Sequence, residues 1–367
     1  MNLSFTREQI SAFRLRRHNL FEKNNKAIVK ICSNICGVQA QVLQAAYLSL
    51  WSRNQEIKKR VIDKALINKR SLVRTSLMRQ TLHIIPSNEY SLYINALKRS
   101  RTEAYAKLIA RLGVTKKEIY KLNRYVFDLL SDGPKDKNEL VKIIRPTLNK
   151  NLKYWSYVVW SIFKPAIIEG LICYYPSNGN KSTFIRTDNW LPVQNEISEE
   201  DAKRALLIKY LGAYGPAAVK DFAYWAGMLM KEASETWDLL KDKIREIKVE
   251  DSIKYILRKD FSDLRNSHFD KNIINLLPNF DVYLLAHQDK NHFIKTKHYK
   301  KVFRNAGWIS SVILLNGVII GTWSVKNKSN ESTLSLDIFE KISGKIKRQI
   351  EEEAEGVRSF LKLNNSK

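Results

Sequence analysis

Apolar residues recur along this chain at helical intervals and then at alternating ones, and the switch repeats. Thr6 and Gln9 hold capping-box positions, and Ile10, Phe13 and Leu20 follow at helical spacing with Arg14, Arg16 and Arg17 between them, which predicts a basic amphipathic helix. A second helix is expected over residues 26–35, stopped by Gly37 as a left-handed cap. A third begins near Val42 and turns Leu43, Tyr47, Leu50 and Trp51 inward. After a helix at residues 57–67, the stretch SLVRTSLMRQTLHII alternates and is rich in β-formers, predicting a hairpin of residues 72–78 and 81–85. Helices followed by a basic hairpin describe a winged helix.

The pattern then recurs. Thr115 and Glu118 form another capping box, a turn at residues 131–134 precedes a helix at 137–144, and a helix at 155–168 ends before Gly170; LICYYPSNGNKSTFIRT reads as strand, turn, strand. A third unit starts near Ser198, turns at residues 212–216, runs through a helix at 218–226 to Gly227, and ends in strands around Ile247 and Tyr255. From about Asn272 the pattern turns β-rich over NLLPNFDVYLLAH and WISSVILLNGVIIGTWSV, where Asn316 and Gly317 predict a two-residue type I′ turn. A closing helix is expected over residues 336–361. The fold class expected is α+β, three tandem winged-helix modules with a C-terminal β-rich α/β domain, divided at residues 1–114, 115–195, 196–268 and 269–367.

Charge narrows what such modules bind. Lys and Arg number 63 against 37 Asp and Glu, a net +26, and the first 125 residues hold 25 of the former against 7 of the latter. An excess concentrated in one third of a folded chain points to a polyanionic partner. No apolar stretch is long enough to span a bilayer, so a cytoplasmic protein with no membrane partner is expected, a monomer by default. Cys32, Cys36 and Cys173 are expected to be small buried hydrophobes, with neither metal nor cofactor. There is no phosphate-binding glycine loop, HExxH, paired CxxC or GxSxG, which removes the common nucleotide-dependent and hydrolytic classes.

What remains is Gly37-Val38-Gln39-Ala40-Gln41, a connector in the most basic region. In an extended segment residues two apart project to one side, so Gln39 and Gln41 would bring two primary amides together around a water or a sugar edge. Taken alone, the pair does not separate this reading from ordinary glutamines at helix ends. The longer run GVQAQVLQAAYLSLWSR, with SLVRTSLMRQTLHIIP, EGLICYYP, YLGAYGPAAVKDFAYWAGM, LLPNFDVYLLAH and KVFRNAGWISSVILLNGVIIGTW in order, resembles the AlkZ/YcaQ-like DNA glycosylases. The resemblance spans nearly the whole chain and implies tandem winged helices with a C-terminal β-rich domain. It assigns catalysis to Gln39 and Gln41, in the branch with Gln at both motif ends that unhooks crosslinked and bulky N7-alkylguanines. The expected reaction is monofunctional hydrolysis of the N-glycosidic bond of N7-alkylated purines in double-stranded DNA.

Cations near the connector and first hairpin, Arg53, Arg74 and Arg79, with His83, are expected to hold phosphates flanking the lesion, and the loop at residues 177–182 and Arg304 are further candidates. Three rivals share the same charge: a non-enzymatic winged-helix DNA-binding regulator, a lyase using a Lys nucleophile, and an RNA-binding protein.

Overall fold

The computed structural model describes residues 4–23, 25–111, 115–147, 162–176, 182–328 and 331–362. Thr6 closes the first capping box with Gln9 and starts the helix Arg7–Arg17. The helix Ile28–Asn34 runs toward Gly37, whose φ of +85° turns the chain sharply; a Cβ there would lie 2.8 Å from the carbonyl oxygen of Ile84. Strand β2 (Val38–Gln39) follows, and the helix Leu43–Trp51 leads away from it. The segment expected as one helix at residues 57–67 is a short α-helix, Lys59–Asp63, continued by a π-turn, Lys64–Asn68. Strands β3 (Leu72–Ser76) and β4 (Leu82–Pro86) form the expected hairpin. A 22-residue helix, Tyr90–Arg111, follows.

The first two hairpins share one sheet. Strands β5 (Lys135–Asp136), β6 (Ile172–Tyr175) and β7 (Thr183–Arg186) join the first three in the order β2-β4-β3-β6-β7-β5, and the two halves meet where Arg74 pairs with Tyr174. A three-stranded sheet combines β1 (Ser4–Phe5), parallel to β8 (Ile244–Val249), with β9 (Ser252–Leu257). The first strand therefore lies among residues of the third expected unit. A four-stranded antiparallel sheet follows, β10 (Ile274–Leu277), β11 (Val312–Leu315), β12 (Val318–Lys328) and β13 (Glu331–Ile338). Asn316 and Gly317 both have positive φ, as a type I′ turn requires.

Three expectations at the element level are corrected. Leu336 is not the start of the last helix: it pairs with Trp323 in the four-stranded sheet, and the helix runs over Gly344–Leu361 from a Ser343 cap. Gly212 does not turn the chain, because the helix Glu199–Tyr214 passes through it and the reversal comes at Gly215 and Pro216. Of NLLPNFDVYLLAH only the first residues form a strand, and Val282–Leu284 is a 3-10 turn capped by Asp281. Most of the helix expected at residues 155–168 and of the loop at 177–182 lies outside the described residues; Lys164–Ile168 is the described end of that helix.

One core cluster joins Leu15, Ile31, Val38 and Ile84 with Leu277, Leu285, Val312 and Ile319, so the first unit and the C-terminal sheet bury their apolar faces against each other. A fully buried ion pair lies between them. The Arg53 guanidinium donates to both carboxylate oxygens of Asp281, at 2.9 and 2.8 Å, and to the Ser49 carbonyl at 2.7 Å.

Candidate active site

The connector is extended, as its spacing suggested. Val38 and Gln39 pair with Ile84 and His83, and the Ala40 amide donates to the Leu82 carbonyl at 2.7 Å, carrying the extended geometry one residue beyond the strand. Ala40 is buried; Gln39, paired with His83, lies on the sheet face opposite the one that carries Arg74 and Ser76, and Gln41 follows in a bend after the strand has ended. Their surroundings differ. Gln39 is buried and its Oε1 accepts from Arg79 Nη2 at 3.3 Å, whereas Gln41 is exposed, with its Oε1 3.5 Å from the Leu82 amide nitrogen.

Arg79 is held as tightly as it holds. Its backbone has φ +52°, its Nη1 donates to the Trp225 carbonyl, and Gly227 packs against its main chain so closely that a Cβ would sit 2.8 Å from the Arg79 nitrogen. Gly227 ends the helix Val219–Ala226 in the left-handed conformation, so one glycine serves both the cap and the close approach. On the other flank, Arg74 Nη2 donates to the Ala40 carbonyl at 3.1 Å while its guanidinium lies 5.6 Å from the Tyr174 ring. Burial lowers the pKa of both arginines below the usual range, against the pull of nearby tyrosines.

Gln41 lines a cavity of about 610 Å³ between the first and second hairpins, with Arg74, Arg101, Lys137, Lys164 and Tyr174 among its walls. No described wall residue carries a carboxylate. The floor is the face of the shared sheet that carries Arg74, Ser76, Leu82 and Phe184. Four cations around one concavity create a positive field suited to a polyanion, and the volume falls in the range that accepts a small organic group or an extruded nucleotide.

Two of the expected phosphate contacts are corrected. Arg53 has no exposed surface and both its terminal nitrogens bond Asp281, one of them Ser49 as well, so it is a structural cation. His83 is buried, and burial together with Arg79 pushes its pKa down to about 3; it is neutral at physiological pH and its Nδ1–H donates to the Thr81 carbonyl at 2.9 Å. Of the remaining candidates, Arg74 lines the cavity and Arg79 grips Gln39, while Arg304 is exposed on the turn before Trp308 and is not among the cavity walls. Tyr47 donates to Asp63 at 2.7 Å and Trp51 packs on Phe360, which makes both of them packing residues.

Sequence reasoning missed Arg101 and Lys164. Arg101 belongs to the long helix Tyr90–Arg111, whose apolar residues are spread around its circumference, so no amphipathic stripe marks it out. Lys164 opens the short helix Lys164–Ile168 beside Pro165. Among the described residues no cluster of His, Cys, Asp or Glu is arranged to hold a metal, and no helix is long and apolar enough to cross a membrane.

A protein of similar sequence is the interstrand DNA cross-link repair glycosylase of Streptomyces sahachiroi, 28% identical over 325 residues, which cover 86% of this chain and 87% of that one. In three dimensions the chain superposes on the Streptomyces sahachiroi DNA glycosylase AlkZ with a TM-score of 0.86, covering 99% of this chain and 98% of the other at 24% identity, a likeness that establishes the shared fold. The model of the family described as DNA glycosylase AlkZ-like matches residues 33–360, from the helix before the connector to the closing helix. The chain belongs to that family, the one its sequence blocks resemble, and is a DNA N-glycosylase.

Proposed function

We propose that this glycosylase hydrolyses the N-glycosidic bond of N7-alkylated purines in duplex DNA, extending to bulky adducts and interstrand crosslinks, with Gln39 and Gln41 as its catalytic residues. The observation that carries the reading is Gln41, two positions after the clamped Gln39 in the extended connector, lining a cavity walled by cations. The relative's name, a cross-link repair glycosylase, supports the lesion class. An N7-alkylated purine is already cationic, so its bond to the sugar is weak and the departing base needs no general acid. The protein has to manage the sugar and the water.

The two amides suit different parts of that task. Gln41 is exposed and lightly held, and in this reading it orients the water that attacks C1′. Gln39 is clamped by Arg79, which fixes its amide against the sugar or against the water that Gln41 holds. Their carbonyl dipoles favour the oxocarbenium charge that develops as the bond lengthens. Arg74 and Arg304 hold flanking phosphates, and Arg79 acts through Gln39. The partner proposed is double-stranded DNA bound by a cytoplasmic monomer.

Both the family model and the curated relative are glycosylases, and the regulator reading receives no support. The test incubates purified protein with a duplex carrying N7-methylguanine or an N7-linked crosslink, with chelator present, and counts abasic sites. Gln41→Ala and Gln39→Ala are expected to fold normally and lose about 10²–10³ in excision rate. Undiminished excision by the double variant removes the amides from the mechanism, and an excision activity that chelator abolishes replaces it with metal chemistry.

A further inference from the structure

Arg101 is almost fully buried, yet its Nε and Nη1 make no hydrogen bond among the described residues. A buried guanidinium left with unpaired N–H groups costs the folded state free energy, so such groups in native proteins are ordinarily satisfied. No described carboxylate pairs with it. The charged groups sharing its cavity are Arg74, Lys137 and Lys164, all cations. Lys164 lies within electrostatic reach: burial and then Arg101 itself lower the Lys164 pKa, while burial brings that of Arg101 down to about 10. Two cations set against each other in a pocket whose described walls carry no carboxylate are stabilised by an anion. Arg101 reaches this position because its helix packs on Lys164–Ile168 and Tyr90–Ile94 abut Gly170, so the side chain is fixed before any ligand arrives.

We propose that the cavity beside Gln41 contains a dedicated phosphate site, in which Arg101, assisted by Lys164, takes a backbone phosphate of the DNA strand adjoining the nucleotide under attack. A guanidinium presents paired N–H donors that match two phosphate oxygens at once, and an arginine fixed within a wall locates that phosphate more sharply than a mobile surface lysine does. Gln41 and Arg101 line the same cavity, so one strand entering it meets both and the phosphate sets the position of C1′ relative to the amide. Exposed cations elsewhere add affinity without adding register. This inference rests on the glycosylase reading for its choice of strand, and not on the catalytic roles of the two glutamines.

The experiment measures binding to duplexes carrying a tetrahydrofuran abasic analogue, with a single neutral methylphosphonate placed in turn at each phosphate flanking it. Wild-type protein is expected to lose roughly ten- to a hundredfold in affinity at one position only. Arg101→Met is expected to bind the all-phosphate duplex that much more weakly and to show no further loss from the methylphosphonate at that position; Arg101→Lys is expected to recover part of both. Because Arg101→Met relieves a buried charge, its denaturation midpoint is measured alongside, and Arg101→Lys carries the test if the Met variant does not fold. A wild type insensitive to neutralisation at every flanking position overturns the proposal, as does an Arg101→Met variant with the same positional penalty as wild type. Gln41→Ala is expected to keep the wild-type penalty; this separates failure of the amide mechanism, seen in excision, from failure of the phosphate site, seen in binding.

Discussion

Replacing Arg53 by Met asks whether a conspicuous arginine in the most basic third of the chain serves DNA or the fold. The side chain has no exposed surface, and neither has that of its partner Asp281. Removing the guanidinium strands a carboxylate in the interior together with the Ser49 hydroxyl that donates to it at 2.6 Å. Breaking one side of a buried pair in this way costs about 3–5 kcal/mol, because the other charge is left uncompensated. For a large domain that lowers Tm by on the order of 10 °C. Asp281 shows the same balance from the other side: burial alone raises its pKa, and Arg53, the Ser49 hydroxyl and the Tyr283 amide together bring it below the usual value. Its stabilising contribution is therefore present above the ordinary carboxylate pKa and is lost as pH falls through the depressed one. The assay is chemical denaturation of Arg53→Met, Asp281→Asn and the double variant, with duplex binding measured on each folded protein. The double variant should be less destabilised than the sum of the singles, by roughly 2 kcal/mol. An unchanged denaturation midpoint in Arg53→Met, accompanied by weaker duplex binding and a shallower salt dependence, refutes the structural assignment and returns Arg53 to the phosphate-binding set.

Other expectations are equally direct. His83, His18 and His287 are buried and His292 is half-buried, all with lowered pKa values, so the unfolded chain binds more protons below about pH 6.5 and stability should fall as pH drops below that point. Denaturation midpoints at pH 7 and pH 5 check this, and His83→Gln should reduce the difference. Gly227→Ala places a methyl group against the Arg79 main chain at a left-handed position, costing roughly 1–2 kcal/mol in stability; it should also slow excision, because the displaced arginine loosens Gln39. Equal excision by Gly227→Ala and wild type at a temperature where both are folded uncouples Arg79 from the amide. Arg304→Ala should leave stability within about 0.5 kcal/mol and reduce the salt slope of duplex binding by about one; an unchanged slope removes Arg304 from the interface.

What the sequence disclosed was local. Thr6 with Gln9 and Thr115 with Glu118 form the capping boxes their spacing implied, because capping bonds reach only three residues. Asn316-Gly317 formed its turn and Gly227 its left-handed cap for the same reason. The extended backbone at Val38 and Gln39 was legible; that Gln39 is clamped on the sheet face away from the cavity while Gln41 is open was not, because Arg79 lies 40 residues away and depends on Trp225 and Gly227. Arg53 was misread because its partner Asp281 is 228 residues downstream. The strand Glu331–Ile338 was lost to the helix behind it, since Phe339, Ile342 and Ile346 extend a helical rhythm back into alternating residues.

The two-residue strand Ser4–Phe5 has a partner in Lys248 and Val249. A ribosome releases Ser4 long before it has made those residues, and the apolar face of the first helices meets its cover only when Leu277 to Ile319 have emerged. The leading segment of a nascent chain must therefore wait, with its greasy side uncovered, until almost the entire polypeptide exists. Severing the protein into tidy consecutive pieces would orphan that side permanently, so a separately expressed N-terminal fragment bearing the paired amides would be prone to clump rather than to work.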